Sequence, residues 1–378
     1  MTAAERLHAL ITRRGPVAWS VFMETALYGE GGFYATGGGA GRTRDFLTSP
    51  EVGPLFGAVV ARAIDEAWAR CGCPDPWVVV EAGAGSGALA AAVLAAAPAC
   101  APALRYVAVE VSPALRAAAA GRLPLEDPAQ VLGPRARAVP EDDVRPPATG
   151  IGPLVSVVAE LPVGPLTGMV VANELLDNLP FDLYAAAWDE VRVGLGAAGF
   201  VEVVVPADEV VAAHLARLAP DAPPGGRVPW QAGAVEWLRT ALRLLERGRV
   251  VVIDYARPTA ALAAAAQSAW LRTYRAGGPG RAPLEDVGGQ DITGDVAIDQ
   301  LSALRTPDRV QDQAAWLSAL GIDELVAEAA ARWREGAAAG SLAALAARSR
   351  LGEADALRDP TGLGAFTVAE WDVGLRGA

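Results

Sequence analysis

The feature of this sequence that most constrains its fold is a repeated alternation of short apolar strands with helical segments. Trp77–Ala82 (WVVVEA) is rich in β-branched residues and has the length of a buried strand. Four later segments share this character and are separated by predicted helices: 106–110, 154–159, 169–172 and 249–254. Strands that alternate with helices predict an α/β fold with a Rossmann-like, doubly wound and mostly parallel sheet.

The charge, the apolar stretches and the cysteines of the sequence argue against several kinds of partner and ligand. The chain has 378 residues and a formal net charge of −12. Because an acidic chain repels a phosphate backbone, we expect no nucleic-acid partner. The chain has no stretch of about 18 uninterrupted apolar residues, so we expect no insertion into a membrane. The three cysteines and two histidines have no zinc-ligand spacing, so we predict no metal site. The first residues lack the pattern of a secretory signal, which predicts a cytoplasmic location.

A glycine-rich loop joins the first predicted strand to the helix that follows it. Glycines occupy positions 83, 85 and 87. Glycine allows a sharp turn and the close approach of a ligand, and a helix start presents N–H groups without intrahelical partners. Glu110 ends the next strand, where a carboxylate reaches ribose hydroxyls in nucleotide-binding sheets. The loop therefore predicts a cofactor that contains a nucleoside.

Two cofactors fit this loop, because Ala88 also completes the pattern G-x-G-x-x-A of dinucleotide sites. Glu81, two residues before Gly83, favours S-adenosylmethionine, since dinucleotide folds usually carry an apolar residue there. The loop also lies inside the chain, after a helical segment, and this position favours S-adenosylmethionine too. We predict S-adenosylmethionine, and a dinucleotide or a tight turn without a ligand stay as alternatives.

A polar cluster follows the fourth predicted strand, in the sequence NELLDNLP. Ligands of doubly wound sheets bind outside the carboxyl ends of the strands. Carboxylates there could orient a guanidinium and help to remove its proton, and an amide could bind the acceptor or the cofactor. The predicted catalytic residues are Glu174, Asp177 and Asn173. The alternative for Asp177 and Asn178 is that they cap the next helix or turn.

At this point the sequence resembles the MidA-like methyltransferases, a family with mitochondrial members that are complex I assembly factors and protein arginine methyltransferases. The shared motifs include DFLTSPE at 45–51 and ANELLDNLP at 172–180. In the loop, this chain has Ala84 and Ser86 where the family usually has proline and arginine. The other matching segments are 23–28, 32–34, 56–57, 81–89, 109–116, 253–255, 271–272 with 274, and 290–293.

The resemblance implies a class I S-adenosylmethionine methyltransferase fold and methylation of an arginine on a respiratory complex I subunit. It also implies that 45–51 lines the cofactor pocket. The hydroxyls of Thr48 and Ser49 at a helix N-terminus would favour the cofactor carboxylate, although simple capping explains them equally. The predicted cofactor-binding residues are Thr48, Ser49, Glu81, Gly83, Gly85, Gly87, Glu110, Val111, Ser112, Glu160 and Asn173.

The remaining segments predict the domain organisation. An N-terminal helical segment, 1–75, would contribute to the cofactor pocket, with helices over 4–28 and from Ser49 to about residue 69. The cofactor-binding core would comprise 76–180 and 248–378. An inserted α+β lid or substrate region, 181–247, would hold antiparallel strands over 181–205 and a helix over 234–247. Tail helices are predicted over 294–305, 311–330 and 338–357, and a last strand over 365–368.

Four functions stay open from the sequence. The leading prediction is an S-adenosylmethionine-dependent methyltransferase that acts on a protein with an accessible arginine. The alternatives are a methyltransferase of small molecules, a non-catalytic assembly factor that keeps the fold, and a dinucleotide-dependent oxidoreductase. The sequence makes no prediction of oligomeric state.

Overall fold

The computed structural model describes residues 1–39, 48–133, 149–185, 188–336 and 341–375. The chain forms two compact units, each built from three separate segments. The first unit comprises Met1–Phe46, Glu174–Thr240 and Asp254–Thr306. The second unit comprises Leu47–Asn173, Ala241–Ile253 and Pro307–Ala378.

The helices of the described residues are labelled in chain order. They are α1 Ala3–Arg14, α2 Trp19–Leu27, α3 Ser49–Val52, α4 Pro54–Arg70, α5 Ala88–Ala95, α6 Pro113–Arg122, α7 Pro128–Leu132, α8 Glu209–Leu218, α9 Ala232–Leu244, α10 Thr259–Ala264, α11 Ile298–Leu304, α12 Gln313–Ala319, α13 Ile322–Gly336 and α14 Leu342–Arg358.

The strands are labelled in the same way. They are β1 Val17–Ala18, β2 Trp77–Ala82, β3 Leu104–Val109, β4 Leu154–Val158, β5 Leu166–Asn173, β6 Asp182–Ala185, β7 Glu190–Gly196, β8 Gly199–Val205, β9 Arg227–Trp230, β10 Leu245–Asp254, β11 Ala256–Arg257, β12 Leu271–Arg275, β13 Gly278–Pro279, β14 Asp291–Gly294, β15 Val296–Ala297, β16 Arg309–Asp312 and β17 Thr367–Val373.

The second unit is built on a seven-stranded sheet with the order β16-β17-β10-β5-β2-β3-β4. The five strands from β10 to β4 pair in parallel, whereas β16 and β17 pair antiparallel. All side chains of β2 and β3 are buried, as expected for strands covered on both faces. This sheet confirms the predicted class I α/β fold.

The strand order of this sheet creates a switch point between β2 and β5. From β2 the chain continues through α5 to β3 on one side, whereas β5 pairs with the other side of β2. The register places Ala82 beside Ala172, so the loop after β2 and the end of β5 lie together. In parallel α/β sheets, ligands bind at the carboxyl ends of the strands at such a point.

The first unit is built on smaller antiparallel sheets and a separate aromatic core. Its largest sheet has the order β1-β7-β6-β9, with β8 also paired to β7, and β12 pairs with β13 on one side and β14 on the other. Trp19 and Phe22 of α2 are buried in this core with Phe181 and Trp270. The antiparallel strands predicted over 181–205 are therefore present, as β6, β7 and β8.

The helical segment predicted over 4–28 is confirmed only in part, because the chain forms α1 and α2 with β1 between them. Gly15 ends α1 with a φ of 78°, a backbone conformation that favours glycine. Pro16 follows and has no amide N–H to continue a helix. The two residues of β1 instead pair with Val193 and Arg192 of β7.

Other predicted boundaries also change. The helix from Ser49 is interrupted at Gly53, and Thr48 rather than Ser49 is its N-cap residue. The helix predicted over 234–247 ends at Leu244, because the next residues join β10 beside β5. Sequence patterns missed α8, β12, β14 and β16, which are short or lack a clear apolar period.

Two predicted tail helices are also divided. The segment 294–305 includes β15 and becomes helical only from Ile298, and the segment 311–330 forms β16 followed by two helices that meet near Gly321. The helix predicted over 338–357 begins at Leu342 among the described residues.

The two units divide the chain at residues that differ from those of the predicted domains. Residues 254–306, predicted as part of the cofactor-binding core, cluster with the N-terminal helices and with 174–240. The reason is visible in the pairing: β12 and β14 form a sheet of the first unit, and Ile292 and Trp270 pack in its aromatic core.

Candidate functional site

The loop after β2 folds back onto the end of β3. The amides of Gly83 and Ala84 donate to the Val109 carbonyl at 2.9 and 3.0 Å. Gly83, Gly85 and Gly87 have φ angles of 72°, 54° and 76°, so each adopts the left-handed conformation that favours glycine. A Cβ on Gly85 would point into open space, which leaves room for a ligand beside the backbone.

Glu110 lies immediately after β3 and binds two backbone amides. Its Oε2 accepts from the amide of Gly85 at 2.9 Å, and its Oε1 accepts from the amide of Ser112 at 2.7 Å. Burial raises the pKa of Glu110, while these amides and the guanidinium of Arg116 act in the opposite direction. The carboxylate is thus fixed at the sheet edge where a ribose would bind.

The residues after Glu110 complete this edge. Val111 exposes 60% of its side chain, an apolar surface available to a base ring. The hydroxyl of Ser112 accepts from the amide of Leu115 and caps α6, which begins at Pro113. The hydroxyl of Ser112 thereby has a structural role in the described chain.

Glu81 is a buried residue of β2 with a hydrogen-bond partner on the neighbouring strand. It is buried within β2, and the hydroxyl of Tyr106 donates to its Oε2 at 2.7 Å. Burial raises the pKa of Glu81 to about 7, although the bond from Tyr106 and the amide of Ala90 lower it. Its carboxyl group therefore links β2 to the next strand and to α5.

The segment before α4 contacts the same loop from another side. Ser49 is fully buried, and its hydroxyl donates to Oε1 of Gln313 at 3.2 Å. Thr48 is also buried and makes no side-chain cap bond to the helix. Ser86 of the loop donates to Oε1 of Glu51 at 3.3 Å. Residues 45–47 of the motif predicted to line the pocket lie outside the described residues.

Asn173 and Glu160 lie at the carboxyl ends of two strands of this sheet. Asn173 is the last residue of β5 and pairs with Ile253 of β10, so it lies at the switch point beside β2. Glu160 is exposed two residues after β4. The glycine loop, the fixed carboxylate of Glu110 and the open space at Gly85 together fit a nucleoside cofactor such as S-adenosylmethionine.

In the first unit, the turn after Asn173 begins with an unusual backbone conformation. Glu174 has a φ of 51°, which is uncommon for a residue other than glycine, asparagine or aspartate. Such conformations cost about 1–3 kcal/mol and cluster at functional sites. A short 3-10 helix, Leu176–Asn178, follows, and we call residues 174–178 the acidic turn.

Asp177 is the most buried of the predicted catalytic residues. Its side chain is 4% exposed, and its Oδ2 accepts a hydrogen bond from the hydroxyl of Thr293. Among the described residues, its Oδ1 has no hydrogen-bond partner. Burial raises the pKa of Asp177 to about 6, while Thr293 and the guanidinium of Arg272 lower it. A buried carboxylate oxygen without a donor is suited to accept one from a cationic ligand.

Two further buried carboxylates hold the acidic turn. Asp254 accepts from the amides of Leu176 at 2.9 Å and Asp177 at 3.3 Å through Oδ2. Asp291 accepts from Nδ2 of Asn178 at 3.1 Å through Oδ1. Burial is the main cause that raises the pKa of Asp254 well above its usual range and that of Asp291 to about 7; the nearby Asp177 carboxylate adds to both.

These contacts bear on the alternative that Asp177 and Asn178 are capping residues. Neither side chain caps the short helix that contains it, because Asp177 accepts a hydrogen bond from the hydroxyl of Thr293 and Asn178 donates one to Asp291. The carboxylate that accepts the amides at the start of that helix belongs instead to Asp254.

Aromatic side chains surround this cluster. Tyr28 and Tyr34 stack with ring centroids 5.5 Å apart. The Tyr34 hydroxyl donates to Oδ1 of Asp291 at 2.9 Å, and that of Tyr28 to the carbonyl of Asn178 at 3.1 Å. The guanidinium of Arg272 lies 4.9 Å from the ring centroid of Tyr255.

Local patterns did not identify Asp254, Asp291 or the tyrosines as site residues. The signal that could have found them is the resemblance, because its segments at 23–28, 32–34, 271–272 with 274 and 290–293, and residues 254–255, belong to the same unit as the acidic turn. The two units thus each contain a cluster of predicted functional residues.

Two kinds of feature are absent from the described residues. No helix there is both long and apolar enough to cross a membrane. No group of three or more histidine, cysteine, aspartate or glutamate side chains there is arranged to hold a metal ion.

Comparisons with known proteins identify the family. The family model described as "Putative S-adenosyl-L-methionine-dependent methyltransferase" matches residues 59–311, more than half of the chain. The match includes the loop after β2, Glu110 and the acidic turn.

Individual relatives agree with this match. A Burkholderia thailandensis protein crystallised with S-adenosyl-homocysteine is similar over 100% of this chain and 93% of its own, with a TM-score of 0.79 and 29% identity. A native crystal structure from the same organism covers 100% and 92%, with a TM-score of 0.78 and 28% identity.

A curated relative is similar over a shorter segment. The Drosophila melanogaster "Protein arginine methyltransferase NDUFAF7 homolog, mitochondrial" is 37% identical over 92 residues. That segment spans 24% of this chain and 21% of the fly protein. The family match and the crystal structures that cover the whole chain show that it belongs to the S-adenosylmethionine-dependent methyltransferases and is a methyltransferase of that family.

Proposed function

We propose that this methyltransferase modifies an arginine side chain of a protein. The observation that carries the proposal is the buried Oδ1 of Asp177, which has no hydrogen-bond partner among the described residues and lies in a cluster of further carboxylates. A guanidinium presents several N–H donors in a plane and keeps its charge at neutral pH, so it matches such a cluster better than a neutral acceptor does.

The residues of each unit have distinct tasks in this proposal. Glu110 and the glycine loop hold the cofactor, with Asn173 and Val111 beside them. When bound, S-adenosylmethionine supplies a methyl group on a positively charged sulfur. Whether Glu81, Ser49, Thr48, Ser112 and Glu160 contact the cofactor stays a prediction. The bonds that Glu81 and Ser49 make within the protein favour a supporting role for those two.

The carboxylates of the acidic turn orient the acceptor and manage its proton. Glu174 and Asp177 bind N–H groups of the guanidinium and fix the orientation of one of its nitrogens. That nitrogen would receive the methyl group that the bound cofactor supplies, and the cofactor would leave as S-adenosylhomocysteine. The nitrogen then gives its proton to Asp177, whose pKa of about 6 suits a base near neutral pH.

The relatives support an arginine acceptor but do not identify the substrate. The fly relative is named a protein arginine methyltransferase, and the identity to it covers a quarter of this chain. By that resemblance, a respiratory complex I subunit is the acceptor that we propose to test first. A small-molecule acceptor and a non-catalytic assembly role are the alternatives that the experiment must separate.

The test is transfer of a labelled methyl group to lysate proteins, followed by acid hydrolysis and separation of the methylated amino acids. We expect the label in methylarginine within a protein fraction. Label that appears only in small molecules would indicate the small-molecule alternative, and label in another amino acid would overturn the arginine assignment. Cofactor binding without any transfer would indicate the assembly role.

A further inference from the structure

Asp254 contacts the backbone of the acidic turn from a distant part of the sequence. Its Oδ2 accepts from the amides of Leu176 and Asp177 at 2.9 and 3.3 Å, across 78 and 77 residues of chain. Its Oδ1 accepts from the amide of Tyr255 at 2.9 Å. With 1% exposure, the whole carboxylate is committed to backbone amides.

The backbone that Asp254 holds is one that a free chain would avoid. Glu174 has a positive φ, and Leu175 then returns to a helical conformation before the 3-10 helix begins. A conformation of this kind persists only where the surrounding structure fixes it. Asp254 binds the two amides that follow, so it fixes the point at which the turn reverses.

The far end of the turn has its own supports. Nδ2 of Asn178 donates to Asp291 and to the Ile292 carbonyl, both at 3.1 Å, and the Tyr28 hydroxyl donates to the Asn178 carbonyl. Only Asp254 binds the amides at the start of the short helix among the described residues. Rotation of that start would move Glu174 and the Asp177 carboxyl while leaving Asn178 anchored.

We propose that Asp254 is a positioning residue for methyl transfer, which fixes the backbone of the acidic turn so that Glu174 and Asp177 face the acceptor. The proposal rests on the function proposed above, and it assigns to Asp254 no contact with the acceptor. The role requires two acceptor oxygens, because Oδ1 and Oδ2 each receive backbone N–H groups. An asparagine would place its NH₂ group, a donor, against the backbone N–H groups that now donate to one of these two oxygens.

The test compares the full-length protein with Asp254→Asn and with a matched control, Asp299→Asn. Asp299 also accepts a backbone amide, that of Thr259, at 3.0 Å. It belongs to the same unit but, among the described residues, makes no hydrogen bond or ion pair with the acidic turn. Total label and methylarginine are both measured against lysate protein concentration, which gives kcat and an apparent KM. The dissociation constant of S-adenosylhomocysteine is measured by calorimetry.

We expect Asp254→Asn to lower kcat at least tenfold, with less than a threefold change in apparent KM and in S-adenosylhomocysteine affinity. Asp299→Asn should keep the wild-type kcat even where it unfolds more easily. If Asp254→Asn does not fold, Asp254→Glu retains both carboxyl oxygens but displaces them, and it should lower kcat in the same way. A folded variant of either kind with the wild-type kcat would overturn the proposal.

Failure of the function and failure of the positioning role give different results. If the wild type transfers label to an acceptor other than arginine, the arginine assignment fails, but the total label still measures the effect of Asp254. If the wild type forms methylarginine and Asp254→Asn does so equally fast, only the positioning role fails.

Discussion

The backbone amide of Gly85 donates a hydrogen bond of 2.9 Å to Oε2 of Glu110, which ties the loop after β2 to the end of β3. The second oxygen of Glu110 accepts from the amide of Ser112 at 2.7 Å. The carboxylate thereby joins the turn that approaches the cofactor to the start of α6. Two predictions about cofactor binding depend on this relationship.

We expect Gly85→Val to abolish measurable binding of S-adenosylhomocysteine in calorimetric titration. A valine at a φ of 54° is strained, and its side chain would fill the open space beside the loop. Gly72→Val is the matched control, because Gly72 has a φ of 79° and open space at its Cβ but lies outside the loop. Equal affinity of the Gly85 variant and the control would contradict the assignment of the loop.

We expect Glu110→Gln to weaken S-adenosylhomocysteine binding by about 10- to 100-fold, since a charged hydrogen bond contributes ~1.5–3 kcal/mol. The amide replaces one acceptor oxygen with a donor, which opposes the amide of Gly85 or that of Ser112. Calorimetry gives the dissociation constant, and amide exchange at Gly85 reports whether the loop stays closed. A variant with wild-type affinity would remove Glu110 from the cofactor site.

Glu174 provides a test in which stability and activity change in opposite directions. We expect Glu174→Gly to raise the free energy of unfolding by up to about 1 kcal/mol, because it relieves the left-handed strain of a residue with a Cβ. The same change should lower methyl transfer by about 100-fold or more, since a carboxylate that orients the acceptor is lost. Glu174→Gln separates the effects, with low transfer and the strain retained. A Glu174→Gly variant that keeps its activity would move the acceptor role elsewhere.

The pH dependence of the first unit follows from its buried carboxyls. Burial raises the pKa of Asp177 to about 6 and that of Asp291 to about 7, above the roughly 4 of an unfolded aspartate. Between about pH 4 and 7 the native state therefore binds more protons than the unfolded chain does, and the free energy of unfolding falls as the pH rises through this range. Denaturant unfolding at several pH values should show this slope, and Asp177→Asn should reduce it. A stability that rises with pH across this window in the wild type but not in the variant would contradict the assigned direction.

The parts of the fold that the sequence predicted are those with a local signal. Trp77–Ala82 is a strand with the predicted bounds, since an apolar β-branched run carries its own signature. The loop glycines were likewise visible from residue type and spacing. The helix break at Gly15 was missed, although Gly-Pro is a breaker, because apolar spacing resumes directly after it.

The acidic turn shows what local patterns leave out. Glu174 and Asp177 were predicted because they follow a buried strand. Their supports are far away in sequence: Asp254 lies 78 residues from Leu176, and Asp291 lies 113 from Asn178 and 257 from Tyr34. Such contacts form only after the chain folds, and no spacing rule reports them. The cytoplasmic location and the lid or substrate role of 181–247 stay predictions.

We propose that the acidic turn acts in methyl transfer and not in cofactor binding, and Asp177→Asn tests this most directly. The measurement is the rate at which the wild type and the variant form methylarginine from labelled S-adenosylmethionine. The cofactor concentration is chosen to saturate its site, on the basis of the affinity for S-adenosylhomocysteine. We predict that the variant binds S-adenosylhomocysteine as the wild type does and forms methylarginine at least about 100-fold more slowly. Methylarginine formation at the wild-type rate by Asp177→Asn would contradict the account.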